Sequence, residues 1–224
     1  MGYRKIFTYA KLVKELEDGI MNTLEFIADR YKLDLEQPSP IVIHASRWHD
    51  MGHLFNDLEF KKGVEVGVHR CKFTKQLAIR APNTEIIAID AWTVYPGYKE
   101  YEETTLEGEY YLEGEVQRDA IQRAAPFANV KVVKAWSPEY SKEFEDESLD
   151  FVFIDANHWY EYVVADIAAW SKKVRTGGLV IGHDYGTDRP HLIGVTEAVN
   201  GWCKSYNIKP LFTWTDKCPS WMYV

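Results

Sequence analysis

The chain is poor in cysteine, in basic runs and in long apolar stretches, and each shortage removes a class of function. Its three cysteines, Cys71, Cys203 and Cys218, form no CxxC pair. An odd count without paired spacing argues against a disulfide framework or a thiolate zinc site, and for free thiols in a reducing compartment. No run reaches the roughly 18 apolar residues of a membrane span, and the N-terminal MGYRKIFTYAKLVKELEDG has no apolar core of signal-peptide type. Ile6 stands where a myristoylation signal after Met1-Gly2 requires Ser or Thr. There is no Lys/Arg cluster, and the formal net charge is −8, which disfavours a polyanionic partner. A G-x-G-x-x-G fingerprint is also missing: Val68, His69, Arg70 and Cys71 follow Gly67. A dinucleotide pyrophosphate needs that glycine-rich approach to a helix N-terminus, so NAD and FAD are disfavoured. These absences point to a cytoplasmic protein with a small-molecule partner and neither nucleic acid nor membrane as its target.

What is present fits one sizeable core: 224 residues, 46% hydrophobic, with Trp 8, Tyr 14 and Phe 10. Residues 8–32 carry Leu12, Leu16, Ile20, Leu24 and Ile27 at helical spacing. Residues 33–60 read as irregular, broken by Pro38 and Pro40, with His44, Arg47, Trp48, His49, Asp50 and His53 crowded together. Short apolar runs at 64–68, 85–90, 130–135, 149–155 and 179–184 read as strands. Helical patterns at 73–80, 116–125, 159–174 and 194–206 alternate with them, and Thr176-Gly177-Gly178 reads as the stop of the third. Two last strands near 209–214 and 219–224 flank a short turn and suggest an antiparallel hairpin. The alternation predicts a doubly wound, mostly parallel α/β sheet in a domain over 61–224, with an N-terminal helical cap over 1–60. Residues 92–115, rich in Tyr, Glu and Gly, read as a lid-like insertion; Tyr95, Tyr98, Tyr101, Tyr110 and Tyr111 could stack on an acceptor, or lie in a solvated loop.

Ligands of open α/β sheets bind at the carboxyl ends of the strands. Those ends carry Glu65, Gly67 and His69, then Asp90, then Trp136 and Ser137, then Asp155, then His183 and Asp184. Asp90 has two readings, a carboxylate accepting two ribose hydroxyls or a helix cap. Asp150 reads as a surface or edge residue. His158 reads as a general base or as a structural histidine at a helix start. His49 and His53, at i, i+4 beside His44 and Asp50, would share a face if the segment were helical and could then form a second metal site, but the sequence does not mark the segment as a helix and the site is not expected.

Taken in order, VEVGV, IIAIDAW, VKVVKAWSPE, LDFVFIDANHWYEYVVADIAAW and GGLVIGHDY resemble the successive motifs of class I S-adenosylmethionine (SAM) methyltransferases, over about 60–224. More narrowly they resemble the macrocin-type sugar O-methyltransferases. The resemblance implies that Glu65 and Gly67 lie along the SAM methionine, Asp90 holds the ribose, Trp136 and Ser137 flank the adenine, and Asp155 sits beneath the sulfonium. It implies a Mg²⁺ site at Asp155, Asp184 and His183, with His158 as general base. His183 departs from the family's usual second carboxylate or amide, which leaves a softer metal or none open. The implied activity is O-methylation of a small sugar- or polyol-like hydroxyl. The alternatives are a non-catalytic SAM-binding scaffold, a hydroxylase-like enzyme of antibiotic pathways and a nicotinamide dehydrogenase. A homo-oligomer is left open.

Overall fold

The structure is a computed structural model that describes residue 19 and residues 22–93, 114–186 and 194–224. Most of the 92–115 insertion, with its five tyrosines, lies outside the described residues. So does most of the first half of the 8–32 stretch.

The first described helix, α1, spans Thr23–Tyr31. Asn22 is extended at φ −92°, ψ 167°, and it forms a capping box with Glu25. A helix running unbroken over 8–32 is therefore not what forms: the Asn-Thr-Leu-Glu sequence starts a new helix instead of continuing one. The segment read as irregular holds two elements, strand β1 at Ile41–Ile43 and helix α2 at Arg47–Asp57. Three residues are too few for periodicity to report. The prolines precede the strand and break nothing within it.

The remaining elements follow the expected alternation. They are β2 Lys62–Val66, α3 Lys72–Arg80, β3 Glu85–Asp90, α4 Glu115–Ala124, β4 Val130–Lys134, α5 Ser137–Tyr140 and β5 Leu149–Ile154. Then come α6 Tyr160–Trp170, β6 Val174–Gly182, α7 Gly194–Tyr206, β7 Phe212–Trp214 and β8 Trp221–Tyr223. One boundary differs in kind. The helix expected over 159–174 ends at Trp170, and Thr176-Gly177-Gly178 lie inside β6 instead of stopping a helix. Gly177 takes φ +73° at the register shift where β6 passes β5, between the pairs Leu149–Val174 and Phe151–Leu179. The glycine signal marks a β-bulge, a feature that shares positive φ with a helix stop.

The strands form one sheet in the order β1-β7-β8-β6-β5-β2-β3-β4. Only β8 among the described strands runs antiparallel to its neighbours, β6 and β7. The doubly wound reading with a C-terminal hairpin therefore holds. Helices cover both faces, so β5 is apolar apart from Asp150 near its start, and its side chains alternate between two cores. Phe151 and Phe153 pack with Phe26, Met51, Leu54 and Phe55 on one face. Val152 and Ile154 pack with Val163, Ile167, Trp170 and Val199 on the other. The Phe55 and Phe151 rings stack with centroids 4.1 Å apart. On α6, Val163, Ile167 and Trp170 are buried and Tyr160 is half exposed.

Asp150 proves to be more than an edge residue. Its Oδ2 accepts the backbone N–H groups of Lys61 (2.6 Å) and Lys62 (2.9 Å), and its Oδ1 accepts Arg175 Nε at 2.7 Å. One carboxylate thus joins the starts of β2 and β5 to β6.

Candidate active site

The chain leaves β2 toward β3 and leaves β5 toward β6, in opposite directions along the sheet. That reversal opens a crevice above the carboxyl ends of β2 and β5. Gly67 makes the crevice possible. Its φ is +83°, and a Cβ there would lie 2.2 Å from the Asp155 carbonyl oxygen. Only a residue without a side chain lets the loop after β2 pass that close to the end of β5.

On the β3 side, Asp90 Oδ2 accepts the His69 N–H at 2.8 Å, and Oδ1 accepts the Trp92 N–H at 2.7 Å. The Trp92 indole donates to the His69 carbonyl at 2.9 Å. Both carboxylate oxygens are thus fixed by backbone, and each keeps a lone pair for a hydroxyl donor. Burial pushes the Asp90 carboxyl upward against those backbone hydrogen bonds. Glu65 is 2% exposed and its Oε2 has no hydrogen-bond partner. Burial raises it to about 8, opposed by Thr74.

Trp136 is half exposed at the start of α5. Ser137 turns its hydroxyl toward α6, where it donates to Asp166 and accepts Trp170 Nε1 at 2.8 Å. Burial pushes Asp166 up to about 7, with the Ser137 hydrogen bond opposing it.

The densest polar cluster stands at the ends of β5 and β6. His158 Nε2 lies 3.5 Å from Asp155 Oδ1 and 3.1 Å from Asp184 Oδ2. His183 Nδ1 lies 3.5 Å and 3.0 Å from the same two oxygens. Asn157 Oδ1 accepts the Trp159 N–H at 2.9 Å, a local turn that sets the loop carrying His158 just before α6. Asp184 sits at φ +59°. Burial alone would raise Asp155; the charge of His183, hydrogen bonds from His158 and His183 and the charge of Arg47 hold it well below the usual range. Asp184 is lowered for similar reasons, its burial outweighed by His158 and His183. Burial would lower both histidines, but the two carboxylates raise each to about 9.

This donor set suits a divalent cation. One ligand atom each from Asp155, His158 and Asp184 lie within 4.8 Å of one another, a spread that a single ion with bonds of about 2.0–2.2 Å can span with small side-chain shifts. No second such cluster occurs among the described residues. His49 and His53 do share helix α2, but they form no metal-type group with His44 or Asp50.

One site residue was not anticipated. Arg47, at the first turn of α2, is 7% exposed and places Nη1 3.5 Å from Asp155 Oδ2. The crowding of charged and aromatic residues at 44–53 is the only sequence signal that marked it.

A family profile described as "Methyltransferase domain" matches residues 64–185. No curated protein matches the chain. Among solved structures, a Staphylococcus aureus protein described as a caffeoyl-CoA O-methyltransferase superposes with TM-score 0.58 at 13% identity, covering 97% of this chain and 99% of that one. An O-methyltransferase from Bacillus cereus in complex with SAH gives TM-score 0.56 at 15% identity, covering 96% and 90%. The O-methyltransferase NovP gives 0.52 at 17% identity, covering 73% and 71%. At these identities the likeness is one of fold.

Proposed function

We propose, from the premise that this chain belongs to the methyltransferase-domain family, that it transfers the methyl group of SAM to a hydroxyl of a small acceptor of sugar or polyol type. The observation that carries the reading is the meeting of Asp155, His158, His183 and Asp184 at the strand ends beside the Gly67 crevice. SAM has no phosphate, which agrees with a loop after β2 that lacks the glycine-rich cradle. In the proposed pose Glu65 and Gly67 lie along the methionine and Asp90 accepts the ribose hydroxyls. Trp136 offers a half-exposed ring to the adenine, and Ser137 borders it through its main chain.

The reaction needs a nucleophile held in line with a sulfonium methyl. An aliphatic hydroxyl is a poor nucleophile until its proton leaves, and His158 Nε2 is the assigned acceptor of that proton, a role for the neutral imidazole: with no cation bound, Asp155 and Asp184 raise His158 to about 9, and a cation on those carboxylates would remove that pull. The new O–CH₃ bond forms as the S–CH₃ bond breaks, and the sulfur leaves with its electron pair as neutral S-adenosylhomocysteine (SAH). Asp155 and Asp184 are the carboxylates that would hold Mg²⁺ or a similar ion; of the two histidines beside them, His158 belongs to the metal-type cluster but is assigned as the base, which leaves His183 as the histidine ligand. Such an ion, when bound, lowers the pKa of a coordinated hydroxyl. In the ligand-free protein Asp155 and Asp184 lie 3.5 Å and 3.1 Å from His158 Nε2 and fix where the ring stands.

The test is titration of SAH into the protein, then turnover with SAM and a panel of polyhydroxylated acceptors. His158→Ala should keep SAH affinity within about threefold while lowering kcat by about 10² or more. Asp90→Ala should weaken SAH itself. If SAH does not bind, or if both variants lose it equally, the assignment of roles fails.

A further inference from the structure

Arg47 lies outside the matched family segment, yet its side chain enters the crevice. Its position is fixed from two sides. Asp216, in the turn between β7 and β8, accepts the Arg47 backbone N–H at 2.8 Å and the Ser46 hydroxyl at 2.7 Å. The guanidinium carbon lies 4.6 Å from the Phe73 ring centre, 5.0 Å from that of Trp48 and 5.7 Å from that of Phe153. These rings stabilise the cation but accept few directed hydrogen bonds.

A guanidinium carries five N–H donors. Here the Asp155 contact is long at 3.5 Å, and the buried Nε has no hydrogen-bond partner. A buried, permanently charged donor left this undersatisfied is costly unless a ligand completes it. Glu65 shows the complementary condition, a buried carboxylate with an unpartnered oxygen, close enough to Arg47 for their charges to interact. One unsatisfied acceptor and one unsatisfied donor at the end of β2 match the two ends of an amino-acid zwitterion. The surroundings sharpen the point. A carboxylate entering a crevice bounded by Asp155 and Asp184, both held ionised, meets like charge, and Arg47 supplies the opposite one.

We propose that Arg47 binds the carboxylate of the cofactor's methionine tail, across from Glu65 at its ammonium group. The inference rests on the SAM reading above and adds to it a cofactor-binding residue supplied by α2. Asp216 is the positioning residue behind it.

The experiment compares SAH with its decarboxylated analogue, in which hydrogen replaces the carboxylate, by calorimetric titration into the wild-type chain and into Arg47→Met, Arg47→Lys and Asp216→Asn. A charge-assisted fork to a carboxylate corresponds to about a 10- to 100-fold difference in affinity. Wild type should prefer SAH over the analogue by that factor. Arg47→Met should lose the preference, with analogue affinity within about threefold of wild type, because only the carboxylate contact is removed. Arg47→Lys should restore part of it, since a point charge replaces a planar fork. Asp216→Asn should reduce the preference without abolishing it. The wild-type comparison needs no variant, so a misfolded substitution leaves the test intact. Wild type binding both ligands equally overturns the inference, as does Arg47→Met weakening both alike. Wild type binding neither overturns the SAM reading itself, a separable result.

Discussion

Glu65 should leave a signature on stability. Its folded value of about 8 lies above the ordinary glutamate value of 4.5, so between those limits the folded protein holds a proton that the unfolded chain has released. Stability therefore falls as pH rises from about 4.5 toward 8, by at most about 1.4 kcal/mol per pH unit. Glu65→Gln should flatten the melting temperature between pH 5 and 8; an unchanged slope would remove Glu65 as the cause. His158 and His183, raised to about 9 from 6.5, stabilise the ligand-free protein fully below pH 6.5 and lose that effect as pH climbs through 9. The lowered Asp155 and Asp184 act in the mirror sense, stabilising above their unfolded value of 3.8 and losing that on acidification. In EDTA, His158→Gln should reduce the decline in melting temperature between pH 6.5 and 9 relative to wild type. The residues at strand ends are legible in the sequence, because an acid or histidine closing an apolar run marks both the strand and its carboxyl end. Arg47 is not legible in that way. It belongs to a helix, its partners Asp155 and Asp216 are distant in sequence, and no local pattern encodes such a meeting.

Among the elements, two glycines of similar φ should respond very differently to alanine. At Gly177, φ +73°, a Cβ would meet nothing closer than Thr23 Oγ1 at 3.4 Å, whereas at Gly67, φ +83°, it would strike the Asp155 carbonyl at 2.2 Å. Gly177→Ala should cost about 1–2 kcal/mol in urea unfolding, the left-handed penalty alone. Gly67→Ala should exceed that cost and also impair SAH binding, since the loop must move. Equal costs would deny the close approach its importance. Asp150→Ala should lose about 2–3 kcal/mol, because it leaves two backbone donors and Arg175 Nε without their acceptor. The same comparison shows why element boundaries were harder to read than element types. Gly177 signals positive φ without saying whether a helix stop or a bulge requires it, and Asn22 interrupts an apolar stripe whose spacing takes no account of caps.

For the molecule as a whole, residues 22–60 are part of the core. Phe26, Ile27, Ile41, Ile43, Met51, Leu54 and Phe55 are at most 2% exposed and fill one face of the sheet. Residues 61–224 alone should therefore fail to give a cooperative thermal transition, even though that range contains the whole matched family segment. A sharp, two-state melt of the shortened chain would show that the face can close without its N-terminal half. The parallel βαβ frame could be read from alternation alone, whereas this mutual dependence could not, because β1 finds its partner β7 some 170 residues later, as in the pair Ile41–Phe212.

The placement of β8 bears on the order in which the molecule can be completed during synthesis. β7 touches β6 only through β8, so before residues 221–223 emerge the sheet exists as two unjoined pieces, one holding β1 and β7 and the other the remaining strands. The Asp216 clasp on Ser46 and Arg47 also waits for that late turn. A nascent chain stalled before this hairpin leaves the ribosome should therefore stay protease-sensitive along residues 22–60 and acquire its cofactor pocket only once residues 216–223 have emerged.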